Sequence, residues 1–210
     1  MEIKPKQITW DQIPEGWMVQ PKYDGECNKL IIKDGQANLQ RFEGRSKTLF
    51  YPEIIEYANE MAKANLPDMV LVGEVCILLN ELVASFPHIQ LRMNTQNKVK
   101  QKLAMKDKLA TFMAFDIEEY DGKNLDKVPY GERYSIMQQA LKQKVTWKDG
   151  QPSARILPVK NITSADHTWK EFVKEYEMEG IVVKNPDSPT EQVKLKNWDE
   201  DDFKIIGTET

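Results

Sequence analysis

Apolar positions along this chain come in short blocks whose spacing switches between the period of a strand and that of a helix. Residues 17–22 and 27–33 (CNKLIIK) read as strands, and Asp34-Gly35 predicts a hairpin turn before NLQRF (38–42). Tyr51-Pro52 opens a helix with Ile54, Ile55, Ala58, Met61 and Ala62 on one face. The run MVLVGEVCILL (69–79) predicts a buried strand with Gly73-Glu74 inside it. Residues 95–109 predict a basic helix, 111–117 (TFMAFDI) a strand, and Tyr120-Asp121-Gly122 a turn. A helix near 130–143 carries Tyr134, Met137 and Leu141 as its apolar stripe. Another starts after a Ser164 cap, with Trp169, Phe172, Val173 and Tyr176 facing inward. Three strands close the pattern: GIVVK (180–184), EQVKLK (191–196) and FKIIG (203–207). Without regular βα alternation, this predicts an α+β fold of mostly antiparallel sheets flanked by helices. No internal repeat occurs, and no linker is evident before residue 198.

Composition narrows the class without naming a function. The 210 residues, 40% hydrophobic and 30% charged, suffice for a globular core. No run reaches the ~18 apolar residues of a membrane span, and the polar N-terminus is not a signal peptide. Two cysteines, Cys27 and Cys76, make no disulfide framework and no zinc motif. A reducing, cytoplasmic (or nucleoid or viral) setting and a monomer are the expectations, with no membrane partner and no secretion. The net charge of −4 argues against non-specific coating of nucleic acid. It conceals a basic stretch at 98–108 and an acidic one at 199–202, and a local basic surface can bind a polyanion.

Four short pieces place charge in apolar surroundings: Lys22 in PKYDG, Glu74 in LVGEV, Glu179 in MEGIVVK, and Lys194 with Lys196 in VKLK. Alternation puts the last two lysines on one strand face. Taken singly, Lys22 reads as an edge-strand lysine, Glu74 as an ion-paired strand residue and Glu179 as a helix-terminal glutamate. VKLK by itself is an ordinary amphipathic strand. Taken jointly, two carboxylates, an isolated lysine and a lysine pair suit metal-assisted phosphoryl chemistry. A lysine amine can then act as a covalent nucleophile while other lysines neutralise phosphate charge. The residues alone leave both readings open.

Order and spacing add a further indication. PKYDGE is similar to the KxDG nucleophile motif of covalent nucleotidyltransferases: ATP-dependent DNA ligases, RNA ligases and messenger-RNA capping enzymes. LQRFEGRSKTLFYPEI resembles the segment after that motif in ATP-dependent DNA ligases. LVGEV looks like the third motif, FMAFDIEEYDGKNL the aromatic strand after it, EGIVVK the fourth motif and VKLKNW the fifth. The resemblance runs in order from about residue 18 to 198. It implies an ATP-grasp-like nucleotidyltransferase (adenylation) domain at 1–198, followed at 199–210 by a linker and the start of an absent OB-fold domain.

The same resemblance implies roles. Lys22 would attack the α-phosphorus of ATP to give a lysyl-AMP adduct, with Asp24 orienting it and Gly25 turning the backbone beneath the nucleotide. Gln20 would read the adenine edge, Phe115 and Val182 would sandwich the ring, and Glu74 would hold the ribose. Arg41 would contact AMP or the 5′-phosphate of a nick, and Lys194 and Lys196 the nucleotide phosphate. Glu179, with Glu74, would hold Mg²⁺ (or Mn²⁺). Nicked duplex DNA is the implied partner, in replication, repair or recombination. An RNA ligase with the same lysyl-AMP chemistry, or a GTP-dependent capping guanylyltransferase, is the alternative. Two positions depart from the pattern: Cys27 stands where an arginine is usual, leaving Asn28 as the adjacent polar side chain, and Val72 precedes Gly73-Glu74. Lys184 ends the fourth motif, where it would either touch nucleic-acid phosphate or cap a strand; His88 and His167 match nothing and read as surface or structural residues, and Trp198 is expected to cap the core.

Overall fold

The computed structural model describes residues 5–64, 66–93, 97–163 and 168–197. Its larger sheet has six strands: β3 (Glu26–Lys33), β4 (Gln36–Gln40), β5 (Met69–Cys76), β6 (Thr111–Tyr120), β7 (Lys123–Asn124) and β10 (Ile156–Pro158). They run in the order β10-β6-β5-β3-β4, with β7 on β6. The smaller sheet holds β1 (Lys6–Gln7), β12 (Gln192–Lys196), β11 (Gly180–Lys184) and β2 (Met18–Pro21), in that order. A hairpin of β8 (Trp147–Lys148) and β9 (Gln151–Pro152) stands apart. All pairings are antiparallel except β1–β12 and β10–β6, so the α+β expectation holds.

Local chemistry accounts for the elements. Asp34-Gly35 and Asp121-Gly122 both have positive φ at each residue, the geometry a two-residue hairpin turn demands. In β3 every second residue is buried, starting with Glu26, and Leu30 and Ile32 on that face join the main core. Helix α1 (Pro52–Lys63) covers it with Ile54, Ala58 and Ala62, its first turn begun by Pro52. Each fully buried Leu or Ile contributes about 1.5–3 kcal/mol relative to exposure. Beyond α1 lie α2 (Phe86–Met93) and α3 (Lys98–Asp107), the latter capped by the Asn97 side chain. Helix α4 (Tyr130–Ala140) packs on β6. Helix α5 (Trp169–Glu175) supplies Val173 to a separate core beneath the smaller sheet, with Val19, Ile181, Val183 and Leu195.

Several boundaries differ from the pattern reading. The basic helix starts at Lys98, where the Asn97 side chain caps it, and ends at Asp107. Helix α2 was hidden because Pro87 and a buried arginine interrupt its apolar spacing. Arg92 is 1% exposed and pairs with Glu53 of α1, while also donating to the Phe50 carbonyl. Strand β10 was missed because it holds only three residues and ends in proline. The observed cap of α5 is Thr168, in a capping box with Glu171. The expected Ser164 cap, His167, Trp198 and the strand at 203–207 lie outside the described residues. Among the described residues no helix is long and apolar enough to cross a membrane.

Candidate active site

The smaller sheet aligns its polar residues in rungs. Gln20 of β2, Val182 of β11 and Lys194 of β12 sit opposite one another on three adjacent strands. Two residues along, the Lys22 amide donates to the Gly180 carbonyl, and Gly180 faces Lys196. Alternation places both rungs on one face. Gly180 has φ +154°, and a Cβ there would lie 2.0 Å from the Leu195 carbonyl oxygen. Only glycine therefore permits this strand start, where Glu179 stands just before β11.

Glu179 joins the second rung. Its carboxylate lies 2.6 Å from Lys22 Nζ and 3.4 Å from Lys196 Nζ. These side chains are 21–27% exposed, so the cluster is open to a ligand yet partly desolvated. Burial raises the neighbouring Asp24 carboxyl above its ordinary value; Glu179 reinforces the shift, and Lys22 and Lys196 oppose it.

Asp24-Gly25 does not turn by positive φ, as its residue types suggest; neither is among the positive-φ residues. Gly25 is required by contact instead. A Cβ would lie 2.3 Å from the Val75 carbonyl oxygen and 2.9 Å from Glu74 Cγ, so the chain crosses directly over β5. Tyr23, 6% exposed, anchors the same crossing by donating to the Glu81 carbonyl at 2.6 Å.

Between the two sheets lies a cavity of about 600 Å³. Gln20, Lys22, Gly25, Val182 and Lys194 line it from one side, and Glu74 and Phe115 from the larger sheet. Phe115 reaches it through a β-bulge: β6 pairs Ala114 with Gly73 and Asp116 with Val72, leaving Phe115 unpaired. Its carbonyl, released from the ladder, accepts from Tyr130 Oη at 2.9 Å and Lys184 Nζ at 2.8 Å. Burial pushes Glu74 up to about 8; Lys22 opposes the shift, and Glu179 and Asp24 add to it. Glu74 thus holds a proton at neutral pH, which lets it donate to or accept from a sugar hydroxyl.

Most positions singled out from sequence therefore converge, with Asp24, Glu179 and Lys196 reaching the cavity through the Lys22 cluster. Arg41 does not line it. Its guanidinium binds Glu26 at 2.6 Å, and Glu26 also accepts from Tyr51 and pairs with Lys47. Cys27 lines the cavity, but Asn28 is fully buried and donates to the Glu26 carbonyl, so it does not replace an arginine there. Lys184, expected to touch nucleic-acid phosphate or cap a strand, packs against Phe115 and Tyr130. It is 4% exposed, and its ammonium stands over the rings of Tyr130 (4.2 Å) and Phe115 (4.8 Å). Burial drives it down to about 8, with Asp116 opposing. Tyr130 and Asn161 beside Gln20 were missed, for they read as an ordinary helix aromatic and a loop residue.

The chain belongs to a known family: the family model for the ATP dependent DNA ligase domain matches residues 4–199. It is 27% identical over 203 residues to the bifunctional non-homologous end joining protein LigD of Bacillus subtilis, covering 93% of this chain and 33% of that protein. It is 25% identical over 195 residues to DNA ligase C2 of Mycolicibacterium smegmatis, covering 89% and 50% respectively. Among solved structures, mycobacterial DNA ligase D complexed with ATP and MES superposes with a TM-score of 0.69 at 20% identity, covering 93% of this chain and 59% of that one. The fold is thus the nucleotidyltransferase fold of such ligase domains. The chain spans between a third and a half of the length of these two curated relatives.

Proposed function

We propose that this chain is the adenylation unit of an ATP-dependent DNA ligase, with Lys22 as the covalent nucleophile. The observation that carries the proposal is the open Lys22–Glu179–Lys196 cluster, one rung beyond Gln20, Val182 and Lys194 at the cavity. Glu179 touches the Lys22 amine and is placed to take its proton. The neutral amine then attacks the α-phosphorus of ATP. The N–P bond forms, the bond to the pyrophosphate oxygen breaks, and lysyl-AMP results. Lys194 and Lys196 spread positive charge toward the phosphates as it forms.

Phe115 and Val182, from opposite sheets, supply the apolar walls for the base, and Glu74 a partner for the ribose. The adduct passes its AMP to the 5′-phosphate of a nick, whose neighbouring 3′-hydroxyl then displaces AMP and seals nicked duplex DNA. Arg41 belongs to this proposal only for the later, nick-facing steps.

A divalent cation fits on modest terms. Among the described residues no three His, Cys, Asp or Glu side chains form a metal cage. Mg²⁺ commonly takes only one or two carboxylates and otherwise uses phosphate oxygens, a demand that the Glu179 carboxylate meets, whereas Glu74, protonated at neutral pH, does not add a second anionic ligand. When bound, it would neutralise charge on the phosphates and the departing pyrophosphate.

The test is a mass spectrum of the intact chain after incubation with ATP and Mg²⁺, followed by peptide mapping. A gain of one AMP on Lys22, reversed by added pyrophosphate, is the expected result. A folded protein that binds ATP and carries no adduct on Lys22 would overturn it.

A further inference from the structure

Gln20 is 1% exposed and lines the cavity, and its Oε1 finds no hydrogen-bond donor among the described residues. A buried amide oxygen without a partner costs about 1–3 kcal/mol, so its persistence calls for a ligand or an explanation. The other end of the amide is fully committed. Nε2 donates to Tyr130 Oη at 2.8 Å and to Asn161 Oδ1 at 3.3 Å, which uses both its hydrogens.

Those two partners also fix which end is which. Tyr130 has one proton, and it goes to the Phe115 carbonyl at 2.9 Å, so toward Gln20 its oxygen can only accept. Burial raises the Tyr130 hydroxyl well above its ordinary value, so it keeps that proton. Asn161 presents a carbonyl oxygen. Turning the Gln20 amide over would set its oxygen against two acceptors.

We propose that Tyr130 and Asn161 are specificity-determining positioning residues that lock Gln20 as a hydrogen-bond acceptor, so that the cavity selects a purine with an amine at C6 over one with a carbonyl there. The adenine amine donates to Gln20 Oε1 and relieves its missing bond. A 6-oxo purine presents oxygen to oxygen. A site built around a specific hydrogen bond rejects the wrong partner strongly, because both acceptors are then left unpaired. The inference rests on the nucleotide-binding reading above but not on any covalent step.

The test compares equilibrium binding of ATP and ITP, which differ chiefly at C6, to this chain. The unaltered chain should favour ATP by about tenfold or more, the worth of one buried hydrogen bond. Tyr130→Phe keeps the ring beneath Lys184, and the Phe115 carbonyl keeps its bond from Lys184. It should bring the ATP-to-ITP ratio down severalfold, as should Asn161→Ala at the exposed loop. Asn161→Asp, which offers only acceptors, should restore the ratio. A purely structural role would weaken both nucleotides together and leave the ratio alone. If Tyr130→Phe fails to fold, the Asn161 pair decides. An unchanged ratio in the folded variants, or no ATP preference in the unaltered chain, would overturn the lock. Absence of AMP on Lys22 alongside an intact ATP preference would instead overturn the ligase reading and leave the lock standing.

Discussion

Glu26 and Glu74 sit on paired strands one residue out of register, since Glu26 faces Val75 and Cys27 faces Glu74. They therefore point to opposite sides of the same sheet, and their fates differ. Burial works against ionised Glu26, but hydrogen bonds from Lys47, Tyr51 and Arg41 outweigh it and hold the carboxyl below its ordinary value. Glu74 faces the cavity; burial dominates there and pushes it up to about 8. One glutamate is closed with donors, and the other lines the cavity. The contrast separates a carboxylate that maintains the fold from a carboxyl kept for a ligand.

The sharpest way to break that contrast is on the cavity side. Lys22→Ala should abolish the AMP adduct, read by mass, while moving the melting temperature little, because a partly exposed ion pair contributes only about 0–1 kcal/mol. A large loss of stability would place Lys22 with Glu26 rather than with Glu74.

On the closed side, Glu26→Gln leaves the Lys47 ammonium, 5% exposed, without its carboxylate. It should cost about 3 kcal/mol, roughly 10 °C in Tm, measured by calorimetry at neutral pH.

The pH dependence of the two variants should run in opposite senses. Glu26 is depressed, so its stabilisation is present above its unfolded value and lost as pH falls through the lower folded one. Glu74 is raised, so between its unfolded value and about 8 the unfolded chain holds fewer protons. Stability then falls as pH rises across that window, by at most about 1.4 kcal/mol per pH unit. Glu74→Gln should remove that slope. Urea midpoints at pH 5, 6.5 and 8 would show the variant gaining on the unaltered chain with pH, and parallel curves would refute the assignment.

Arg41→Ala gives the smallest effect. It removes one of three donors to Glu26 at a half-exposed position, so about 1 kcal/mol of stability should go, with AMP adduct formation within about twofold. A much larger loss of adduct would move Arg41 into the adenylation site.

Much of this was legible in the order of residues. Period-two burial in β3, helical spacing in α1 and the Asp-Gly turns are local signals, and the structure repeats them. PKYDG, LVGEV, EGIVVK and VKLK could be seen as charge in apolar runs before anything was known of their meeting. Arg41 stands off the cavity on Glu26, a pairing that no local pattern shows. Phe115 could be named from its motif, but the bulge that aims it is a property of the β5–β6 register. Tyr130 and Asn161 are 110 and 141 residues from Gln20, a distance over which no spacing rule operates.

The sequence by itself determined which side chains are available and on which strand faces they alternate, because periodicity is set by neighbours along the chain. Only the tertiary structure decided which charges are answered. Glu26 meets three donors and Glu74 lines the cavity because the sheet sends adjacent residues to opposite sides. The packing of α1 against one side and the smaller sheet across from the other then fixes what each finds there.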